Sequence, residues 1–194
     1  MNNSFSSPSR EILDLLEYRI RSVAIGHLAL RHWLVWDEIP DIKIFFNDQQ
    51  VIEGKATVFT NSAIESAIIY SRALLEFLGL KKNKDHFLLR ELDQNRQKGD
   101  IGIEQFKTLN RITIKNAVSA YSGDPKEAEA ALAYVIHLAN KDLAHTTMSI
   151  LKHDQGAQFL DITFRAIPIL MINHFYIPLS LNPPDFALPF RHRD

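Results

Sequence analysis

Residues 122–147, "SGDPKEAEAALAYVIHLANKDLAHTT", have one stable solution, an amphipathic helix that needs a partner. Asp124 is placed to cap it, Pro125 suits the first helical position and Glu127 falls at the third. Ala128, Leu132, Val135, Ala139 and Leu143 recur at helical spacing and form the stripe to be buried. The many alanines favour the helix and permit close approach of a neighbour.

Three further segments supply the neighbours. "SSPSREILDLLEYRIRSVAIGHLALRHWLVW" reads as a long first helix, with Ser7 as cap, Pro8 at the first position and an end near Asp37, ahead of Pro40. "NSAIESAIIYSRALLEFLGL" is a second helix. Asn61 or Ser62 caps it, Ser62 and Glu65 match a capping box, and Ile64, Ile68, Ser71, Leu75 and Leu78 form one face. Arg72 and Glu76 should pair across one turn, and Gly79 should end the helix in a left-handed conformation with Leu80 as its apolar partner. "QGAQFLDITFRAIPILMINHFYIPLS" is the last helix, over residues 156–177, with Pro168 kinking it or limiting its first half. Asp161 and Arg165 read as a surface pair within it.

The remaining segments are less regular. Residues 41–60 alternate at Ile42, Ile44 and Phe46 and again at Ala56, Val58 and Thr60. That fits a hairpin turning at Glu53-Gly54 or a short helix with a loop. Residues 81–100 hold six Lys or Arg and four Asp or Glu. They read as a solvated connection with a short helix around residues 87–92; the sharper alternative is a basic surface for phosphate. One more short helix and a longer one, through "IKNAVSAY", are expected before residue 122. The fold class is therefore all-α: a single helical domain over residues 1–194, a bundle of four main helices with an elaborated middle. Residues 81–123 form a charged connecting insertion, and residues 179–194 a proline-rich tail in which Phe186, Leu188 and Phe190 are candidates to dock.

Composition narrows the function classes. A net charge of −1 lacks the basic excess usual in nucleic-acid binders, although a local basic patch remains open. No cysteine occurs, which excludes disulfides and thiolate catalysis and suits a reducing cytoplasm. Residues 1–10 are polar, so no signal peptide is expected. The longest apolar run, "IPILMINHFYI", is too short to span a bilayer, and no membrane contact is expected. His137, His145 and His153 are spaced too widely for a helical metal pair, with Lys141 between the first two, so neither metal nor cofactor is expected. Arg31, His32, Trp33 and Trp36 could stack on a base but read as bundle core and rim.

Chemistry concentrates in "HLANKDLAHTT", residues 137–147. His145 is suited to proton transfer near neutral pH, and Lys141 or Asn140 could hold a phosphate or a developing oxyanion. Lys141 shares a helical face with His137 and His145, whereas Asn140 and His145, five apart, point away from each other unless the helix loosens. The structural alternative is that His145 caps helix-end carbonyls and Asn140 hydrogen-bonds across a helix interface.

"LANKDLAHTT", after a capped alanine-rich helix in a helical chain, resembles the motif of the HEPN superfamily, an Arg and a polar residue followed by a His. His145 matches the family histidine, Asn140 takes the place of the arginine and Lys141 that of the polar residue. The resemblance implies a HEPN-like bundle and either a metal-independent endoribonuclease or a non-catalytic module that binds RNA, nucleotides or proteins. Asn carries no charge and Lys141 is one position off, so the expected function is an interaction module, non-catalytic or weakly active. An endoribonuclease using His145 with Lys141 and Asn140 is the alternative, and a purely structural protein the third. The expected partners are a second copy of the chain, with residues 137–147 near the shared surface, and RNA or protein.

Overall fold

The computed structural model describes residues 7–84, 87–92, 96–106, 108–142 and 155–185. The protein is predominantly helical, with two small two-stranded sheets among the described residues. In chain order the elements are α1 (Arg10–Trp33), β1 (Asp41–Phe46), β2 (Gln49–Lys55), α2 (Thr57–Leu78), β3 (Leu80–Lys82), β4 (Leu89–Glu91), α3 (Ile114–Val118), α4 (Pro125–His137) and α5 (Gly156–Met171). A 3-10 turn lies at Ile103–Gln105, and π-turns follow α4 at Leu138–Asp142 and α5 at Ile172–Tyr176.

Helices α1 and α2 pack most extensively. Leu16, Ile20, Val23 and Leu30 bury one face of α1. Gly26 lets the two backbones touch: a Cβ there would overlap the Ala67 methyl and sit 2.8 Å from the Ala63 carbonyl oxygen. Helix α1 begins at Arg10 rather than after Ser7, with Ser9 extended in the N-cap position. It stops at Trp33, short of Asp37, because residues beyond Leu30 have no core to lie on; Trp33, Leu34 and Val35 are exposed. Helix α5 packs on α1, α2 and α4. Phe164, Ile167, Leu170 and Phe175 are buried there, while Pro168 stays within the helix. The π-turn after α5 is closed by the Ile177 N–H reaching back to Ile172 O at 3.0 Å.

Residues 41–55 form the hairpin, but its turn is at Asn47-Asp48 rather than Glu53-Gly54. Both turn residues have positive φ, 48° and 64°, which a tight two-residue connection requires and Asn and Asp tolerate. Gly54 lies in the ladder opposite Ile42. Residues 57–60 belong to α2, not to a strand. The helix therefore starts a turn before Asn61, and the Ser62 hydroxyl donates to Val58 O at 3.1 Å instead of forming the expected capping box. Gly79 ends α2 at φ 99° and Leu80 is fully buried, as the sequence indicates.

The charged middle is the largest departure from the sequence reading. A short antiparallel pair, β3 with β4, replaces the helix expected at residues 87–92. The segment is anchored rather than solvated, because Leu89, Ile103, Phe106 and Ile112 join the common core. It also caps the C-terminal end of α2. Arg96 donates to the carbonyls of Glu76 at 2.8 Å and Phe77 at 3.0 Å. The Ile112 N–H reaches Leu78 O at 3.0 Å and the Leu92 N–H reaches Gly79 O at 2.8 Å. Glu76 O also takes the Gly79 N–H at 3.1 Å, and the others lie past the last carbonyl that the helix's own N–H groups can reach. Glu104 fixes the arrangement by accepting from Arg96 Nε at 2.9 Å and Arg111 Nη2 at 2.7 Å.

Candidate functional site

Helix α4 starts as its sequence dictates, with the Asp124 carboxylate accepting from the Lys126 N–H at 3.0 Å and Pro125 in the first turn. Ala128, Leu132, Val135 and Ala139 are buried, so the stripe facing the core is the one read from the spacing. The α-helical winding ends at His137, and residues Leu138–Asp142 form a π-turn. Leu138 and Ala139 stay buried while Asn140 and Lys141 are exposed side by side. Asn140 is exposed and is not part of the buried core of the described residues. His145 itself lies outside the described residues, as do Leu143, His153 and the tail from Phe186 onward.

The β3–β4 pair brings new side chains to this end of α4. Glu129 on α4 accepts from the Leu89 N–H at 3.0 Å and ties β4 to the helix. Phe87, 44% exposed, meets the His137 ring edge-on at 5.0 Å and lies 6.4 Å from the Tyr134 ring. Lys82 Nζ stands 5.3 Å from the centre of the Phe87 ring. Lys81, Lys82 and Arg90 are carried by the two strands and Lys84 by their connection. Cations next to an exposed ring, with an ammonium and an amide on the adjoining π-turn, can contact phosphate and stack on a flat base. The sequence did not single out Phe87 or Lys82. Their proximity to His137 depends on two three-residue strands too short to show alternation.

Two other polar clusters lie apart from this end. His27 Nε2 and Asp161 Oδ1 are 2.8 Å apart, joining α1 to α5, and Arg165 also bonds Asp161. The pair read as a surface contact is thus also an interhelix tie, invisible in sequence because His27 and Asp161 are distant in the chain. His174, in the second π-turn, is half-buried, and burial pushes its pKa down. Burial, and then the nearby Glu17 charge, push the Tyr176 phenol up to about 12. Among the described residues there is no cluster of three or more His, Cys, Asp or Glu able to hold a metal, and no helix is long and apolar enough to cross a membrane.

Fold and site together define a predominantly helical protein with a basic, aromatic-bearing strand pair set against the end of an alanine-rich helix. No family model matches the chain, nor does any curated protein or any solved structure.

Proposed function

We propose that this protein is a HEPN-like helical interaction module, non-catalytic or weakly active, which works as a homodimer and contacts single-stranded RNA at the end of α4. The observation that carries the reading is the exposed Phe87 ring, which has Lys82 Nζ 5.3 Å from its centre and meets His137, the last α-helical residue before the π-turn that exposes Asn140 and Lys141. Stacking on the ring tolerates any base, and the lysines supply phosphate contacts. Binding of a labelled single-stranded oligoribonucleotide, followed by fluorescence anisotropy, should weaken steeply as salt rises. Phe87→Ala and the double change Lys82→Ala, Lys141→Ala should each reduce it. No binding at low salt, or binding unchanged in both variants, would end the reading.

One observation favours a metal-independent endoribonuclease as the second reading. The π-turn exposes Asn140 and Lys141, an amide and an ammonium able to hold a scissile phosphate. Cleavage by this route would persist in EDTA and leave a 2′,3′-cyclic phosphate. His145→Ala would slow it by a factor on the order of 10² to 10⁴, the usual scale for a general acid or base. Equal cleavage by wild type and His145→Ala would remove this reading.

A further inference from the structure

We propose that the β1–β2 hairpin and the segments flanking it are the surface through which two copies of this chain associate. Ten of the eighteen large apolar side chains exposed among the described residues fall in residues 33–59. That stretch holds the end of α1, the hairpin and the first turn of α2, all at one end of the α1–α2 pair. Val35 is 73% exposed and Phe46 65%. The hairpin packs on itself rather than on the helices. An isolated two-stranded hairpin is marginal in water unless its apolar face is covered.

The two faces differ. Ile44 opposes Ile52 and Ile42 opposes Gly54, and alternation puts Phe46 on the same side. The other face carries two cross-strand ion pairs, Lys43 with Glu53 at 3.3 Å and Lys55 with Asp41 at 2.8 Å. The ion pairs satisfy the charges of that face, which also carries the exposed Phe45; on the apolar face Ile42 and Ile44 are half-buried, while Ile52 and Phe46 are exposed.

Area and charge select the occupant. Taking about 200 Å² for a fully exposed aromatic and somewhat less for an aliphatic, the nine side chains other than Phe45 expose on the order of 800 Å². A monomer's largest apolar patch is usually about 300–600 Å², and one side of a standard stable interface is about 800 Å². Residues 33–59 carry five carboxylates and two lysines, which disfavours nucleic acid and anionic lipid. The hairpin itself is nearly neutral, so two hairpins can meet without strong repulsion. A twofold axis uses one patch twice, and an apolar face set on its own copy needs no further complementarity. The β3–β4 pair follows the other end of α2, a helix of 22 residues and thus about 33 Å long, so this contact leaves the basic end of α4 accessible. The proposal stands independently of RNA binding.

The test is sedimentation of the whole chain over about 1–100 μM, the weak end of the affinities that interfaces of this size reach. Wild type should dimerise, and Phe46→Glu should weaken the dimer by about 30-fold or more, as loss of an interface anchor does, with an unchanged far-UV circular-dichroism spectrum. Because the chain has no cysteine, single-cysteine variants give a second readout. Ile52→Cys should cross-link to its copy with a short bismaleimide, and Lys141→Cys should not. A wild-type monomer throughout the range would overturn the proposal and leave the face to a different protein. So would a dimer that persists in Phe46→Glu, or one that cross-links through Lys141→Cys instead.

Discussion

Replacing Glu104 with alanine tests how the charged middle segment is held. Its carboxylate accepts from Arg96 Nε at 2.9 Å, Arg96 Nη2 at 3.0 Å and Arg111 Nη2 at 2.7 Å. The Arg96 side chain is only 9% exposed and that of Glu104 24%. Charge-assisted bonds of this kind contribute about 1.5–3 kcal/mol each, but three sharing one carboxylate do not add. Breaking a fully buried ion pair costs about 3–5 kcal/mol. The upper part of that range does not apply, because the site is partly wet and Arg96 keeps its carbonyl partners. Glu104→Ala should therefore cost about 2–3 kcal/mol, which for a chain of this size lowers Tm by about 5–10 °C. Burial by itself pushes the Glu104 pKa up, but the bonds from Arg96 and Arg111 outweigh it and hold the carboxyl below the ordinary glutamate range. A depressed folded-state pKa contributes stability above the unfolded value, and that stability is lost as pH falls through the folded value. The difference between wild type and Glu104→Ala should be full at pH 7 and close progressively below about pH 4.3, the ordinary glutamate pKa. Urea denaturation at a series of pH values reads both quantities. A variant within about 0.5 kcal/mol of wild type at pH 7, the range of an ordinary surface change, would refute the argument. So would a deficit that does not shrink in acid.

Other perturbations have directions fixed by single contacts. Gly26→Leu would force the α1 and α2 backbones apart at Ala63 and Ala67 and should destabilise by about 1–3 kcal/mol, the usual cost of overpacking, read by thermal melt. Gly79→Ala places a side chain at φ 99° and 2.6 Å from Arg111 Cβ, and should cost at least about 1–2 kcal/mol in the same assay. Asn140→Ala changes an exposed residue and should alter the urea midpoint by an amount equivalent to no more than about 0.5 kcal/mol. Far-UV circular dichroism should show more than half helix, against the roughly one-third typical of globular proteins.

The helices were legible where local signals and burial agree. In α4 the Asp124 cap, Pro125 and the 128–132–135–139 stripe act within one helix, so spacing alone carries them. Helix ends were legible less often. The start of α2 is set by the hairpin before it, through the Ala56 N–H bond to Pro40 O at 2.9 Å, and this overrides the capping box that Ser62 and Glu65 offer. Residues 81–111 misled for a similar reason. Their charges read as solvated, yet Arg96 and Arg111 are consumed by Glu104 and by carbonyls of Glu76, Phe77 and Leu92, all set by tertiary position. Charge density reports the presence of ionic groups, not whether water or protein satisfies them.

The candidate site divides along the same line. The sequence reading carried the helix through residue 147, so neither the end of α4 at His137 nor the exposure of Asn140 and Lys141 on a π-turn was legible. An α-helix continued through residue 142 keeps its four-residue bonds, and the sequence holds no proline or glycine there to break them. The change of winding sits where α4 carries the buried pair Leu138 and Ala139 and then two polar residues. Adding a residue to the turn lets that apolar pair stay on the core while Asn140 and Lys141 both reach solvent. A polar pair that only completed the bundle would gain nothing from such a distortion, since π-turns are rare and forfeit regular hydrogen bonding. The turn leaves an amide and an ammonium in solvent just past His137, whose ring meets Phe87. Asn140→Ala should therefore leave stability intact and, on the proposed reading, weaken RNA binding. An effect on stability without one on binding would assign the π-turn to the fold alone.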